Sequence, residues 1–340
     1  MIVGLDAWTP EDTDWFRDLG VTWTKLAMSG CTAGGVHALD LDNVAAATEA
    51  GMTVVIDVRP VDEMQQRLAG LQMNADDETT DKLLAELHAM GAAVAADLAP
   101  YSSRYEWWGE YECPYVSGFW PNKRAAYPTL LQAVAEGIRS IQPEAEIWNG
   151  GYGVNFQPQF LEALIGADIA NFDRANWHQY NISEYWPRDR QGQFEFGTPL
   201  HKRVAYSANK FREMFTGARA MMDAAGATQP FVSSEWGMPV VSDEVVDALG
   251  RIGLHSFVFQ DGVFGLGDAQ AAQFFNAWMA VFEQAGFEVL IYHRLKDAPP
   301  GGADADGTFW GTYCGLLYED GTEKAAMMAA FRDWVERGQS

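Results

Sequence analysis

Strand-like and helix-like segments alternate along the whole chain. The strand-like segments are short and rich in apolar, β-branched and aromatic residues, which favour extended structure. One of them contains the continuous apolar run Val54-Val55-Ile56, which is typical of a parallel strand covered on both faces. The predicted strands lie at 2–8, 21–26, 52–59, 105–111, 146–150, 175–180, 231–235 and 287–292.

The segments between them have the periodicity and the end signals of helices. Pro10 stands in the first turn of one segment, and Gly20, Gly51 and Gly226 stand at the ends of others, where glycine commonly terminates a helix. The predicted helices cover 10–20, 40–50, 80–98, 127–141, 158–165, 202–225, the later part of 242–284, and 323–337.

This alternation predicts an α/β fold with a parallel sheet. Because each predicted strand is followed by a helix, we expect a single (β/α)8 TIM barrel, one domain over 1–340, with extended loops at the carboxyl ends of its strands. The competing open, doubly wound sheet would have a glycine-rich turn after its first strand. The chain has Asp6-Ala7-Trp8-Thr9-Pro10 there, which favours the barrel.

The composition agrees with one globular domain that has a large core. Of 340 residues, 48% are hydrophobic and 21% are charged. No apolar stretch is long enough to predict a membrane span, so no membrane partner is expected. The first residues also lack the basic and apolar regions of a signal peptide. The chain is therefore expected to be cytoplasmic as written, or secreted if it is a mature form, and both alternatives stay open.

The charge is strongly acidic. The formal net charge of −24 argues against nucleic acid as a partner, because neutralising phosphates requires clustered Lys and Arg. A solvated acidic surface explains the charge, and adaptation to high salt is the alternative. Cys31, Cys113 and Cys314 are far apart without CxxC spacing, which predicts neither a disulfide framework nor a zinc site.

Two glutamates stand out because each follows aromatic residues at the end of a predicted strand. Glu110 ends Tyr-Glu-Trp-Trp-Gly-Glu, and Glu235 ends Phe-Val-Ser-Ser-Glu. Burial among aromatic rings disfavours a carboxylate unless its chemistry requires it. In a barrel both strand ends lie at one mouth, where two carboxylates can divide acid and nucleophile roles. Of their neighbours, Glu112 falls in the following loop, and Glu106 is expected to be a buried structural carboxylate paired with a basic residue.

These segments resemble those of the retaining glycoside hydrolases of clan A, which include cellulase/mannanase-type and xylosidase-type families. The similar segments are Glu106–Glu110, His178–Tyr180, Ser234–Gly237, and 309–324 near the end of the chain. The resemblance implies Glu110 as acid/base, Glu235 as nucleophile, and Tyr180 as the hydrogen-bond partner of the nucleophile. Gly109 stands where the clan usually has Asn, and Lys25 stands near the position of a usual Arg. Asn149 or Asn176 is a possible replacement, and an unusual sugar is the alternative explanation.

Sugar rings stack on flat apolar faces, so tryptophans at strand ends are candidates for substrate binding. The predicted substrate-binding residues are Trp8, Lys25, Trp108, Asn149, Trp177, His178, Tyr180, Trp236 and Trp310. His178 is expected to position groups or to contact sugar, since two carboxylates already supply the acid–base chemistry.

The predicted reaction is hydrolysis of a β-linked oligo- or polysaccharide with retention, by double displacement. It requires no metal or organic cofactor, and it predicts carboxyl groups about 5–5.5 Å apart. Two alternatives stay open: a non-catalytic carbohydrate-binding barrel, and a transglycosylase that uses the same glutamates. The sugar, the linkage, endo or exo action and the oligomeric state are not predicted.

Overall fold

The structure is a computed structural model of the chain. It describes residues 1–69, 78–109, 123–151, 158–167, 171–179, 195, 198–238, 240–241, 266–297 and 314–339.

The strands of the described ranges include all of those predicted, together with two short ones. They are Ile2–Leu5 (β1), Trp23–Cys31 (β2), Thr53–Pro60 (β3), Arg104–Trp107 (β4), Glu146–Asn149 (β5), Ala175–Gln179 (β6), Phe231–Trp236 (β7), Val240–Val241 (β8), Leu266–Gly267 (β9) and Phe287–Tyr292 (β10).

Helices separate most of these strands along the chain. They are Thr13–Asp18 (α1), Ala38–Glu49 (α2), Asp62–Ala69 (α3), Glu78–Leu98 (α4), Lys123–Ile141 (α5), Pro158–Ala167 (α6), Leu200–Ala224 (α7), Asp268–Gln284 (α8) and Ala325–Gln339 (α9). Of these, α3 was not predicted. Within the described ranges, no helix combines the length and the apolarity needed to cross a membrane.

The strands that follow the predicted alternation form two parallel four-stranded sheets. Their orders are β1-β10-β7-β6 and β2-β3-β4-β5. Backbone hydrogen bonds also join the two sheets at both edges. The Ala7 N–H donates to the Lys25 carbonyl at 3.3 Å, and the Asn149 N–H donates to the Arg174 carbonyl at 3.5 Å. The predicted α/β class with parallel strands is confirmed. Among the described residues the strands form two facing sheets, and their hydrogen-bond ladders do not close into one continuous ring.

The two sheets share an apolar interior. Val55 and Trp148 of one sheet pack with Val232, Val289 and Ile291 of the other in a small buried cluster. A much larger cluster fills the space between the strands and the surrounding helices. Most residues of these strands are therefore buried, as expected for parallel strands covered on both faces.

Two predicted strands are shorter than expected. β1 ends at Leu5 and β4 ends at Trp107, because Ala7 and Trp108 have φ angles of 58° and 54°. A positive φ breaks the extended backbone and is uncommon for residues with a Cβ. The extended loops predicted at the carboxyl ends of the strands fall largely outside the described residues.

Candidate active site

Glu235 of β7 and Lys25 of β2 form an ion pair at the centre of the site. The Lys25 Nζ lies 2.5 Å from the Glu235 Oε2, and the two side chains are 2% and 16% exposed. The residues belong to different sheets, so the pair bridges the interior. Lys25, predicted to bind substrate, thus contacts the predicted nucleophile directly.

A β-bulge in β7 directs Glu235 toward the interior. Asn176 pairs with Val232 and His178 with Glu235, so β7 has one more residue than β6 over this stretch. The pairing with β10 has the same extra residue between Ser233 and Trp236. Because a bulge interrupts the strict alternation of side chains, Ser234 and Glu235 both contact interior groups although they are adjacent.

The charges around Glu235 favour its ionised form. Burial alone would raise the pKa of Glu235, but the electrostatic effects of Lys25, then His178 and His293, outweigh burial and hold this pKa well below its ordinary value. Burial acts to lower the pKa of Lys25, yet nearby carboxylates, first that of Glu235, raise it above its usual range. Both members of the pair are therefore charged, which suits a carboxylate nucleophile.

His178 of β6 lies between two glutamates. Its Nε2 is 3.1 Å from the Glu106 Oε1 and 2.9 Å from the Ser234 Oγ, and its Nδ1 is 3.8 Å from the Glu235 Oε2. Burial and Lys25 act to lower the pKa of His178, but Glu235 and Glu106 raise it to about 10. His178 is thus an imidazolium at neutral pH. The prediction that Glu106 is a buried carboxylate paired with a basic residue is confirmed.

His293 and Asp6 also belong to the site, and the sequence analysis missed them. The His293 Nδ1 lies 2.9 Å from the Asp6 Oδ2 and 3.8 Å from the Glu235 Oε1. Asp6 directly follows β1 and His293 directly follows β10. The signal that could have found them is the one used for Glu235, a polar residue at the carboxyl end of a predicted strand.

The same three residues have the composition of a metal site. Ligand atoms of Asp6, Glu235 and His293 lie within 4.8 Å of one another. However, the Asp6–His293 hydrogen bond uses the His293 Nδ1, and the Lys25 ammonium already binds Glu235. The arrangement fits a network of carboxylates and cations better than a metal centre.

Asp57 and Arg59 at the end of β3 are a second missed pair. The Arg59 Nε and Nη2 lie 2.7 and 2.6 Å from the Asp57 Oδ2. The Asp57 Oδ1 accepts a hydrogen bond from the Gly109 N–H at 3.1 Å, which fixes the backbone just after β4. Arg59 is 30% exposed, whereas Asp57 is fully buried.

Gly109, which replaces the usual Asn, lies against these charged groups. A Cβ at this position would lie 3.0 Å from both the Glu106 Oε1 and the His178 Cε1, and 3.2 Å from the Asp57 Oδ2. A side chain at this position would therefore press on these groups, which would have to give by a few tenths of an ångström. Gly109 thus fits closely among the charged side chains of the site.

Asn149 and Asn176, suggested as replacements for the missing Asn, bind neighbouring strands instead. The Asn149 Oδ1 accepts from the Asn176 N–H at 2.8 Å, and its Nδ2 donates to the carbonyls of Gly150 and Asn176. Asn176 donates to the Ser234 Oγ at 2.8 Å and accepts from the Ser234 N–H at 2.9 Å. Both amides link β5, β6 and β7, and the predicted sugar contact of Asn149 has no support in these contacts.

The tryptophans predicted to bind substrate are buried wherever the structure describes them. Trp177 packs edge-on against Phe215 of α7, and Trp236 packs against Phe275 and Phe282 of α8. Both rings are therefore on the helix side of their strands. Their packing gives no support to a role in sugar binding. Trp8 and Trp108 are 4% and 1% exposed, and Glu110, Tyr180 and Trp310 lie outside the described residues.

Comparisons with known proteins reveal similarity of fold without similarity of sequence. No known family profile matches the chain, and no curated protein sequence matches it. A glucosidase from Croceicoccus marinus superposes with a TM-score of 0.61 at 15% identity, over 99% of this chain and 66% of that structure. An exo-β-1,4-mannosidase from Opitutaceae bacterium strain TAV5 gives 0.63 at 14% identity, over 100% of this chain and 60% of that one.

A third similar structure is closer in length. It is a GH5 xyloglucan-specific endo-β-1,4-glucanase from a metagenomic library, with a TM-score of 0.58 at 15% identity, over 96% of this chain and 88% of that structure. The chain therefore spans less than two thirds of the first two structures and most of the third. The resemblance to clan A is confirmed at the level of architecture: the chain has the parallel α/β fold of these glycoside hydrolases.

Proposed function

We propose that the chain is a retaining glycoside hydrolase with Glu235 as nucleophile and Glu110 as acid/base. The observation that carries this proposal is the ionised carboxylate of Glu235 at the end of β7, held 2.5 Å from the Lys25 ammonium in a largely buried site. A buried anion that is oriented by fixed cations is ready to attack an electrophilic carbon. We further propose that the two sheets close into one barrel, and that 1–340 form one catalytic domain.

In the first step the Glu235 carboxylate attacks the anomeric carbon of the substrate. The bond from that carbon to the leaving oxygen breaks, and Glu110 donates its proton to this oxygen. The product is a covalent glycosyl ester on Glu235. Lys25 and His178 keep Glu235 ionised before the attack, and their charges also favour its return to the carboxylate.

In the second step a water molecule attacks the same carbon from the side that the leaving group left. Glu110, now ionised, takes the proton of this water, and the ester bond to Glu235 breaks. Two inversions give overall retention. Two carboxyl groups about 5–5.5 Å apart are expected for this mechanism.

The other carboxylates near Glu235 are less suited to be the acid. Within the part of the chain that the structure describes, Glu106 binds His178, Asp57 binds Arg59 and Asp6 binds His293. Burial acts to raise the pKa of Glu106, but His178 and Lys25 lower it to about 2, so Glu106 is a poor proton donor. The oxygens of Asp57 and Asp6 are engaged by their basic partners. This supports the choice of an acid from the segment after β4, with Glu110 preferred to Glu112.

The substrate that we propose is a β-linked oligo- or polysaccharide. The similar structures include a xyloglucan-specific endo-β-1,4-glucanase and an exo-β-1,4-mannosidase, and we extend only the β-linked class to this chain. Transfer to an acceptor sugar would use the same two glutamates with the acceptor in place of water.

The test is hydrolysis of a panel of aryl β-glycosides and β-linked polysaccharides by the wild type and by three Glu→Gln variants. Glu235→Gln and Glu110→Gln are expected to lose nearly all activity, whereas Glu112→Gln is the matched control and is expected to keep it. The first product anomer, followed by NMR, should have the configuration of the substrate.

Three outcomes would contradict the proposal. Near-wild-type activity of the Glu235→Gln variant would exclude Glu235 as the nucleophile. Loss of activity in Glu112→Gln but not in Glu110→Gln would identify Glu112 as the acid/base. Binding of the polysaccharides without turnover by the wild type would instead favour the non-catalytic barrel.

A further inference from the structure

Glu106 is a fully buried carboxylate that the proposed reaction does not use. Its Oε1 lies 3.1 Å from the His178 Nε2 and accepts a hydrogen bond from the Gly151 N–H at 3.0 Å. A buried carboxylate is costly unless it is paired and hydrogen-bonded. The presence of the buried Glu106 carboxylate next to the site therefore needs a physical explanation.

The imidazole of His178 connects this carboxylate to Glu235. Its Nε2 faces the Glu106 Oε1, and its Nδ1 faces the Glu235 Oε2 at 3.8 Å. A neutral imidazole has one N–H and one bare nitrogen, so it would direct a lone pair at one of the two carboxylates. The doubly protonated ring presents an N–H to each of them.

Two glycines lie close to the ring of His178. A Cβ at Gly151 would lie 1.9 Å from the His178 Cδ2, and one at Gly109 would lie 3.0 Å from the His178 Cε1. The backbone of two loops is thus packed directly against the imidazole. The Ser234 Oγ lies 2.9 Å from the Nε2.

We propose that Glu106 is a positioning residue for Glu235, acting through His178. Glu106 keeps the imidazole doubly protonated and oriented, so that Glu235 has a second cation beside it in addition to Lys25. The inference rests on the proposed function, since it assigns a role toward the nucleophile. The link between Glu106 and His178 can nevertheless be tested without any activity.

The other charged groups around these side chains set the direction of the expected effects. Lys25 and burial favour the neutral form of His178, while Glu106 and Glu235 favour the charged form. Glu235 faces Lys25 and His293 as well as His178. Without the charge of Glu106, one of the groups that favour the charged form is lost while Lys25 and burial still oppose it, so His178 should lose its proton at a lower pH. Glu235 would then have one positive neighbour fewer.

The first experiment follows the side-chain ¹⁵N signals of His178 by NMR over a range of pH. These signals are assigned by their loss in His178→Asn. In the wild type we expect the imidazolium pattern at neutral pH and well above it. In Glu106→Gln we expect the titration midpoint to fall by about one pH unit or more, as for loss of a charge in direct contact. A neutral His178 at neutral pH in the wild type would overturn the proposal, even if Glu106→Gln does not fold.

The second experiment measures the pH dependence of kcat/KM. In Glu106→Gln we expect the ratio of wild-type to variant kcat/KM to rise with pH through the lowered pKa of His178, because the neutral ring then directs a lone pair at one of the two carboxylates. Glu146→Gln is the control, since it removes a carboxylate at the first residue of β5, the opposite end of the sheet. Its ratio to the wild type should not change with pH.

The two experiments distinguish a failure of the inference about Glu106 from a failure of the proposed function. A kcat/KM in Glu106→Gln that is lower by the same factor at every pH would indicate a merely structural role and overturn the proposal. A wild type that hydrolyses no glycoside would refute the proposed function, while the NMR titration would still decide the link from Glu106 to His178.

Discussion

The Lys25 ammonium lies 2.5 Å from the Glu235 carboxylate, and the two residues come from different four-stranded sheets. The ion pair therefore keeps Glu235 ionised and also connects the two sheets across the interior. Removing one partner of a buried pair leaves a charge without compensation, which is more damaging than removing both.

Lys25→Met should reduce both stability and activity. We expect the free energy of unfolding to fall by about 3 kcal/mol, the usual loss when one partner of a buried ion pair is deleted. The acidic limb of kcat/KM should move upward, because the pKa of Glu235 rises without its nearest cation. Urea unfolding and a pH–rate profile measure the two effects.

The double variant Lys25→Met/Glu235→Gln is the control for stability. Its loss in the free energy of unfolding should be smaller than the sum of the losses in the two single variants, because the double variant leaves neither charge buried without its partner. Additive losses would show that the two side chains do not stabilise each other.

The architecture could be predicted from the sequence because its physical signals are local. Apolar runs predicted the strands of both sheets, and periodicity and terminal glycines predicted most of the helices between them. The end of β4 was wrong, since nothing local announces the positive φ of Trp108. The position of Trp236 at a strand end predicts substrate binding, whereas its ring packs against Phe275 and Phe282. The bulge that brings both Ser234 and Glu235 to the interior depends on the pairing of β7 with β6 and β10, which no local pattern shows.

The site was predicted only in part, for a related reason. Glu235, Lys25 and His178 were selected by motif, and the structure brings these three together. Asp6 and His293 match no motif used, and they meet only because β1 and β10 are neighbours in a sheet. Contacts between residues far apart in sequence depend on this pairing and cannot be seen in the local pattern.

The pairing of His178 with Glu106 makes the stability depend on pH. The pKa of His178 is about 10 in the fold against 6.5 ordinarily, so the folded state keeps a proton that the unfolded chain releases. The resulting stabilisation is fully present below pH 6.5 and is lost as pH rises through 10. We expect the free energy of unfolding to fall across this window by at most about 1.4 kcal/mol per pH unit.

Urea unfolding at a series of pH values measures this slope. The double variant Glu106→Gln/His178→Asn removes the titrating imidazole together with the carboxylate that binds it, and its stability should vary less with pH over the same window. An equal slope in the double variant would assign the effect to other groups.

Trp177 should contribute to packing and not to substrate binding. Trp177→Phe leaves a space beside Phe215 and Phe231, where the indole packs edge-on. We expect a loss of about 1–3 kcal/mol in the free energy of unfolding, as for a reduction in size within a well-packed core. The KM for a polysaccharide should stay unchanged, and a large increase in KM would restore the role in sugar binding.

Gly151 should tolerate no side chain. In Gly151→Ala the new Cβ would lie 1.9 Å from the His178 Cδ2, so the imidazole must move away from Glu106 and Glu235. We expect a loss of about 1–3 kcal/mol in stability from overpacking, together with a clear loss of kcat. Gly166→Ala is the matched control, because its Cβ would meet no atom within 4 Å and it lies in α6. The control should be neutral or slightly stabilising, since Ala favours helix over Gly.

Gly109→Asn introduces the residue that clan A usually has, and it should lower the activity. The Asn side chain would press on Glu106, His178 and Asp57, whose atoms lie 3.0–3.2 Å from the Cβ position and would have to shift by a few tenths of an ångström. These groups hold the charges next to Glu235, so we expect kcat/KM to fall and the acidic limb of its pH profile to move upward. Gly109→Ala, a smaller change, should have a smaller effect of the same kind. A higher kcat/KM in Gly109→Asn would instead mean that the charged cluster can rearrange, and that the site lacks an amide it is able to use.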